Sequence, residues 1–127
     1  LLDLDHFKRI NDSHGHLVGD DVLRDVASML QSAVRSVDLV ARYGGEEFVV
    51  VLPETAEPGA VAFAERLRER VAAHVFRSGE RLELRMTLSI GVATFPSPRV
   101  DSAEDLFSRA DAALYRAKVD GRDQVRT

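Results

Sequence analysis

The chain has 127 residues, of which 45% are hydrophobic and 30% are charged, a composition typical of one globular domain with a sizeable core. Its formal net charge of −4 and its lack of cysteine exclude a domain-wide basic nucleic-acid surface, a disulfide framework and a thiolate metal site. No apolar run approaches the roughly 20 residues of a membrane span and no signal peptide is visible, so we expect a cytoplasmic segment without membrane contact.

The N-terminal residues combine a buried strand with acidic side chains. Residues 1–5 predict the end of a buried strand that leads into acids. An Asp at the carboxyl end of a strand often presents a ligand to Mg²⁺, which binds a few carboxylates and keeps its other positions for water or phosphate. The alternative is that these acids cap helices or form turns. Residues 3–12 show neither the two-residue period of a strand nor the 3.6-residue period of a helix.

Residues 13–21 predict a loop because they contain two glycines and small polar residues. The histidines His14 and His16 stand two positions apart, but the absence of cysteine and of a third histidine nearby disfavours a transition-metal site. A helix is expected over residues 20–35, with Asp20 or the next acid as its N-cap.

Two apolar runs, residues 37–40 and 48–52, flank a short connection that contains Gly44 and Gly45. This arrangement predicts a β-hairpin, in which the glycines supply positive φ or close backbone approach. Glu46 follows them at the rim of a sheet, where it suits a hard metal ion or a phosphate-bearing substrate. An ordinary hairpin with solvated acids is an equally weighted alternative at this point.

The remaining elements alternate in type. We predict a helix over residues 60–75, a strand region over 82–92 that bends or splits near Arg85, a helix over 102–119 and a short strand over 124–126.

Several cations on these helices have two interpretations. Lys118 and Arg122 lie on either side of the end of the last helix, where Gly121 is the expected terminating residue. They either complement the helix dipole or form a pair of cations aimed at phosphate. Arg66 and Arg70 share an outward face, for which solvation is the simpler interpretation.

Taken together, these groups predict a reaction class. Acids follow the first strand and the hairpin turn, and cations lie near the C-terminus. Asn11 and Asp20 offer the donors and acceptors that read a nucleobase edge. This combination predicts metal-assisted phosphoryl or nucleotidyl transfer.

Residues 44–48, Gly-Gly-Glu-Glu-Phe, resemble the signature of the GGDEF domains, the diguanylate cyclases, in its GGEEF form. Further segments are similar to the family's other motifs in the same order: residues 3–12, Gly15-His16 with Gly19-Asp20, residues 87–93, and residues 110–118 with Gly121-Arg122. The resemblance covers essentially the whole chain.

The resemblance implies an α/β (α+β) fold whose central mixed sheet of about five strands is flanked by helices, as in nucleotidyl cyclases and the polymerase palm. It also implies a diguanylate cyclase, which condenses two GTP into cyclic di-GMP and two pyrophosphates. The reaction would need Mg²⁺ (or Mn²⁺) and a homodimer in which each protomer holds one GTP.

The resemblance assigns a role to individual residues. Asp3, the backbone carbonyl of Leu4 and Glu46 would hold the metal ions. Glu46 is also the candidate proton acceptor, and Lys8 would stabilise charge at the reacting phosphate. The substrate-binding assignments are Asn11, His16 and Asp20 at guanine, Gly44 and Gly45 in the turn, and Lys118 and Arg122 at the terminal phosphates.

Arg35 and Asp38 form an Arg-x-x-Asp motif shortly before the glycine pair, which resembles the family's inhibitory product site. Arg66 corresponds to an auxiliary arginine of that site. The resemblance therefore implies feedback inhibition by cyclic di-GMP.

Family domains carry an N-terminal helix before the first strand. We therefore expect residues 1–127 to form a single catalytic domain that lacks this helix and part of the first strand. An N-terminal sensory or regulatory domain, which could anchor the full-length protein to a membrane, is expected as well. The alternatives are a non-catalytic cyclic di-GMP receptor and a different nucleotidyl cyclase or GTP-binding module on the same fold.

Overall fold

The computed structural model describes all 127 residues, which form four helices and seven strands. In chain order these are β1 Leu2–Leu4, α1 Phe7–His14, α2 His16–Ala33, β2 Leu39–Arg42, β3 Glu47–Val51, α3 Glu57–Ala73, β4 Phe76–Ser78, β5 Leu82–Leu84, β6 Leu88–Gly91, α4 Ala103–Val119 and β7 Gln124–Arg126.

Five strands form one mixed sheet in the order β2-β3-β1-β6-β7, in which only β6 and β7 are parallel. The fold class that the resemblance implied is therefore confirmed. In the central strand, Asp3 pairs with Glu47 on one side and with Ser89 on the other. The end of β1 consequently lies between the hairpin turn and the start of β6.

Side chains of β1 alternate between two environments, as a strand requires. Leu2 and Leu4 belong to the main apolar core, which α2 and α3 complete. Asp3 is buried on the opposite face, which α4 covers. On that face Gly91 is necessary, because a Cβ there would overlap the backbone of α4 at Ala110 and Leu114.

Several predicted elements are confirmed. The hairpin of β2 and β3 is present, and the strand region around Arg85 splits into β5 and β6. Helix α4 begins after Ser102, whose hydroxyl accepts a hydrogen bond from the Asp105 amide, and it ends before Gly121 at φ 118°.

The predicted loop over residues 13–21 is wrong. Helix α1 already occupies the residues before it, and only Gly15, at φ 89°, separates α1 from α2. Asp20 therefore lies within α2 rather than at its N-cap. Helix α1 was not predicted because it has only eight residues and is polar overall. Its apolar residues, Phe7 and Ile10, lie one turn apart and are too few to establish a helical period from sequence.

Two further differences concern α3 and the strands after it. Helix α3 starts at Glu57 rather than near residue 60, because Pro58 sits in the first turn, where a missing N–H costs nothing. Strand β4, which was not predicted, pairs with β5 as a separate two-stranded sheet.

None of the four helices combines the length and apolar character that a membrane-spanning segment requires.

Candidate functional site

The end of β1 carries a buried carboxylate with a cation on it. Asp3 is only 5% exposed, and the Lys118 Nζ donates a hydrogen bond of 2.8 Å to its Oδ2. Burial raises the pKa of Asp3, although the Lys118 hydrogen bond and the charges of Lys118 and Arg122 lower it in part. The structure thus brings Asp3, Lys118 and Arg122 together from opposite ends of the chain.

The hairpin turn lies beside this carboxylate. The amides of Tyr43 and Gly44 both donate to the Glu47 carbonyl, at 2.8 and 3.3 Å. The guanidinium of Arg42 donates to the carbonyls of Gly44 and Gly45, at 3.1 and 2.7 Å. The turn is therefore fixed from both strands.

Of the two expected uses of the turn glycines, positive φ occurs at neither, and close approach occurs at Gly44. A Cβ at Gly44 would lie 2.8 Å from the Glu47 Oε2, so Gly44 serves close approach. Gly45 faces open space, with nothing within 4 Å of a Cβ. Its bare backbone is open to a ligand.

Glu46 leaves the turn half-buried, and its carbonyl accepts a hydrogen bond of 3.2 Å from the Leu4 amide. Burial raises its pKa, and the negative charge of Asp3 raises it further. Burial and nearby negative charge disfavour the ionised forms of both Asp3 and Glu46, and a divalent cation between them would offset this cost.

The donor set fits Mg²⁺ better than a transition metal. Asp3, Glu46 and the Leu4 carbonyl supply only oxygen atoms, and nowhere do three or more Asp, Glu or His side chains cluster as metal ligands. Mg²⁺ takes few protein ligands and completes its octahedron with water and phosphate oxygen atoms.

The residues predicted to bind guanine lie along α1 and α2. The Asn11 Oδ1 is buried without a hydrogen-bond donor and packs against Gly19, where a Cβ would overlap it. Such an unpaired buried acceptor is uncommon in native proteins. Asp20, which follows Gly19 on α2, is exposed and lines a cavity of about 430 Å³ between α2 and β2. His16 is exposed at the start of α2.

That cavity also touches the signature hairpin. Phe48 and Arg42 line it on the β-strand side, and Leu23 lines it on the α2 side. Lys8 is exposed on α1 and makes no hydrogen bond or ion pair. A second cavity, of about 390 Å³, runs along α4 and contains none of the predicted site residues.

The Arg-x-x-Asp pair lies before β2, at the strand end away from the turn. The Arg35 Nη2 contacts the Asp38 Oδ1 at 2.8 Å, and it also donates to Pro53 O and Thr55 Oγ1, each at 3.0 Å. The Asp38 side chain is 2% exposed, and the hydrogen bond from Arg35 lowers its pKa. Arg66 is exposed on α3 and has no hydrogen bond or ion pair.

Three residues with structural roles at the site were not identified from sequence. Arg42 braces the turn, while Asp5 and Arg68 hold the loop that carries Arg122. Asp5 could have been found from its spacing, because a residue two positions after Asp3 lies on the same face of a strand. No sequence pattern pointed to the other two.

Residues 1–124 match the family described as diguanylate cyclase, GGDEF domain. The chain is 48% identical over 126 residues to Response regulator PleD of Caulobacter vibrioides, covering 98% of this chain and 28% of the relative. It is 50% identical over 125 residues to Diguanylate cyclase DgcM of Escherichia coli, covering 98% and 29%. The chain thus spans less than a third of these curated relatives.

Solved structures are similar over nearly the whole chain. The GGDEF domain of DgcB from Caulobacter crescentus, crystallised in complex with c-di-GMP, superposes with a TM-score of 0.90 at 37% identity, covering 98% of this chain and 73% of that one. The active GGEEF domain of a diguanylate cyclase from Vibrio cholerae has a TM-score of 0.88 at 37% identity, covering 98% and 78%.

Proposed function

This chain belongs to the family of diguanylate cyclase GGDEF domains, and from that premise we propose that it condenses two GTP molecules into cyclic di-GMP. In each of two steps, the 3′-oxygen of one GTP bonds to the α-phosphorus of the other. The bond from that phosphorus to the β-phosphate bridging oxygen breaks, and pyrophosphate leaves. Two steps yield one cyclic di-GMP and two pyrophosphates.

The observation that carries this proposal is the pair of carboxylates at the hairpin. Asp3 and Glu46 both have raised pKa values, and the cations Lys118 and Arg122 act on Asp3. Asp3, Glu46 and the Leu4 carbonyl would hold Mg²⁺, which when bound neutralises triphosphate charge and favours ionisation of the 3′-hydroxyl. Glu46, half-buried at the end of the hairpin turn, is also the candidate proton acceptor for that hydroxyl.

Lys118, Arg122 and Lys8 would bind the triphosphate. Lys118 now donates to Asp3 and would exchange this bond for one to a phosphate oxygen when the nucleotide binds. Arg122 has no partner and can bind the terminal phosphates directly. Lys8, equally free on α1, would stabilise charge at the reacting phosphate.

The α1–α2 region would select guanine. The carboxylate of Asp20 can accept hydrogen bonds from both N1–H and N2–H of guanine, a donor pair that adenine lacks. A donor brought close to the buried Asn11 Oδ1 would satisfy its missing hydrogen bond. His16, one turn before Asp20, lies at the rim of the same region.

One chain holds half of the reaction, so catalysis would need two protomers that face each other, each with one GTP. We further propose that the product inhibits the enzyme by binding Arg35, Asp38 and Arg66. The GGDEF domain of DgcB from Caulobacter crescentus was crystallised with c-di-GMP, which supports recognition of this nucleotide within the family.

Incubation of the purified protein with GTP and Mg²⁺, followed by chromatography, tests the proposal. We expect cyclic di-GMP and pyrophosphate in a one-to-two ratio, no dinucleotide from ATP, and no product when EDTA is present. The rate per protomer should rise with protein concentration until the dimer is saturated. Tight cyclic di-GMP binding without turnover would identify a receptor, and a cyclic mononucleotide would identify a different cyclase.

A further inference from the structure

A buried carboxylate that the proposed chemistry does not use lies two residues after Asp3. Asp5 is 4% exposed. Its Oδ1 accepts from the Ser89 hydroxyl at 2.6 Å, and its Oδ2 accepts from the Thr87 hydroxyl at 2.7 Å and the Asp123 amide at 3.1 Å. A buried carboxylate is costly unless it is hydrogen-bonded in this way, so the loss of any of these donors would be expected to destabilise the fold.

The side chain of Asp123 is held from another element. Its Oδ1 accepts a hydrogen bond of 2.8 Å from the Arg68 Nη1 on α3. Arg68 is only 20% exposed, and its Nε donates to Glu65 at 2.8 Å, which orients the guanidinium. Asp123 is therefore held by its backbone amide from Asp5, directly after β1, and by its carboxylate from Arg68 on α3.

The loop that contains Arg122 and Asp123 has an unfavourable backbone conformation. Arg122 and Asp123 are consecutive non-glycine residues in the left-handed region, at φ 64° and 44°. Such residues persist only where their surroundings determine the conformation. The Arg122 amide donates to the Ala117 carbonyl at 2.9 Å, while its side chain makes no hydrogen bond or ion pair. The guanidinium is thus left free on a loop that the rest of the molecule holds.

We propose that Asp5 and Arg68 are positioning residues, which hold Asp123 and thereby aim Arg122 at the terminal phosphates of the nucleotide. Loss of the hydrogen bond between Asp123 and either Asp5 or Arg68 lets the loop relax towards a right-handed backbone conformation and displaces the Arg122 guanidinium. The inference rests on the proposed function for the role of Arg122 and adds the means by which that role is maintained.

Nucleotide affinity, measured by calorimetry without turnover, tests the inference. The probes are 3′-deoxy-GTP, which cannot condense because it lacks the attacking hydroxyl, and guanosine, which lacks phosphate. We expect Arg68→Gln and Asp5→Asn each to weaken 3′-deoxy-GTP binding about tenfold, the worth of one charge-assisted hydrogen bond, with guanosine binding within about twofold of wild type. Arg77→Gln, which removes an exposed ion pair to Glu83, is the matched control and should change neither.

A double-mutant cycle separates positioning from a general structural defect. If Arg68 acts through Arg122, then Arg68→Gln should cause no further loss in an Arg122→Ala background. Multiplicative losses, an equal loss of guanosine affinity, or unchanged 3′-deoxy-GTP affinity would overturn the inference. Arg68 lies on a partly exposed face of α3, so the Arg68→Gln variant is expected to fold and can be measured even if Asp5→Asn does not fold. An absence of cyclic di-GMP synthesis by the wild type, with the cycle as expected, would refute the activity and leave the positioning role intact.

Discussion

The charged clusters at the two ends of β2 differ in how their charges are compensated. At the hairpin end, Asp3 and Glu46 are partly withdrawn from water and both have raised pKa values, even with Lys118 in contact with Asp3. At the other end, Arg35 and Asp38 satisfy each other, and the pKa of Asp38 is lowered by its hydrogen bond to Arg35.

The difference indicates how each cluster meets a ligand. In the hairpin cluster, Lys118 offsets the charge of Asp3 only in part and both carboxylates keep raised pKa values, so a divalent cation bound there would add stabilising positive charge. The Arg35–Asp38 pair is complete, because Arg35 also donates to the carbonyl of Pro53 and the hydroxyl of Thr55. A product that binds there must replace existing hydrogen bonds, and this replacement offsets part of its affinity. A product site weakened in this way would respond only at higher product concentrations.

The largest expected effect comes from neutralising the hairpin cluster. Glu46→Gln should lower turnover by at least about a hundredfold, because the variant loses both a metal ligand and the candidate proton acceptor. The fold should be retained, with a melting temperature equal to or above that of the wild type, since a desolvated charge is removed. Initial rates of cyclic di-GMP formation and a thermal melt measure the two effects.

Glu80→Gln, on the turn between β4 and β5, is the matched control and should behave as the wild type in both assays. Retained turnover in Glu46→Gln would remove Glu46 from the metal assignment and leave the contrast between the two clusters without a functional meaning.

An intermediate effect is expected from breaking the Arg35 cluster. Arg35→Ala should raise the cyclic di-GMP concentration needed for half-inhibition by about tenfold or more, because the product loses a charge-assisted contact. Inhibition curves at fixed GTP, and direct titration with cyclic di-GMP, provide the measurement. Arg81→Ala, an exposed arginine without a hydrogen bond or ion pair, is the control. Product inhibition and product binding equal to wild type would show that the motif is not the inhibitory site.

The smallest effect is a difference in pH dependence between the clusters. Asp3 and Glu46 have raised pKa values, so the folded state binds more protons than the unfolded state above their ordinary values of 3.8 and 4.5. Their contribution to stability therefore falls as pH rises from about 4 through the raised values. Asp38 has a lowered pKa, so its contribution is present above 3.8 and is lost as pH falls through the lowered value.

Urea unfolding at a series of pH values measures this difference. Relative to wild type, Glu46→Gln should gain stability as pH rises above 4.5, whereas Asp38→Asn should be destabilised at neutral pH and recover on acidification. If the stability differences of both variants stayed constant with pH, the electrostatic contrast would be wrong.

Local patterns made part of the fold predictable. The hairpin follows from two β-branched runs around a short glycine-containing connection, and α4 follows from its 3.6-residue period between Ser102 and Gly121. Helix α1 has only two apolar residues, Phe7 and Ile10, and no side-chain cap, and it starts after His6 in a left-handed conformation. Its existence depends on tertiary packing of Phe7, which a local pattern does not reveal.

The candidate site divides in the same way. Its residues were named from sequence because each belongs to a motif that is contiguous in the chain, and their roles stay predictions. Their contacts were not predictable, because Lys118 and Asp3 are separated by 115 positions and Asp123 and Asp5 by 118. The pairing of Arg35 with Asp38 had a detectable spacing, but the additional contacts to Pro53 and Thr55 depend on the approach of another loop.

The close approach of α4 to β6 has a consequence for how this domain can diverge in evolution. Gly91 allows the helix backbone to rest directly on the strand, and any side chain there would push the helix away. A shift of about 1 Å in a catalytic group can cost a hundredfold in rate. A lineage that keeps α4 at this distance from β6, and with it the contact between Lys118 and Asp3, must therefore keep glycine at position 91.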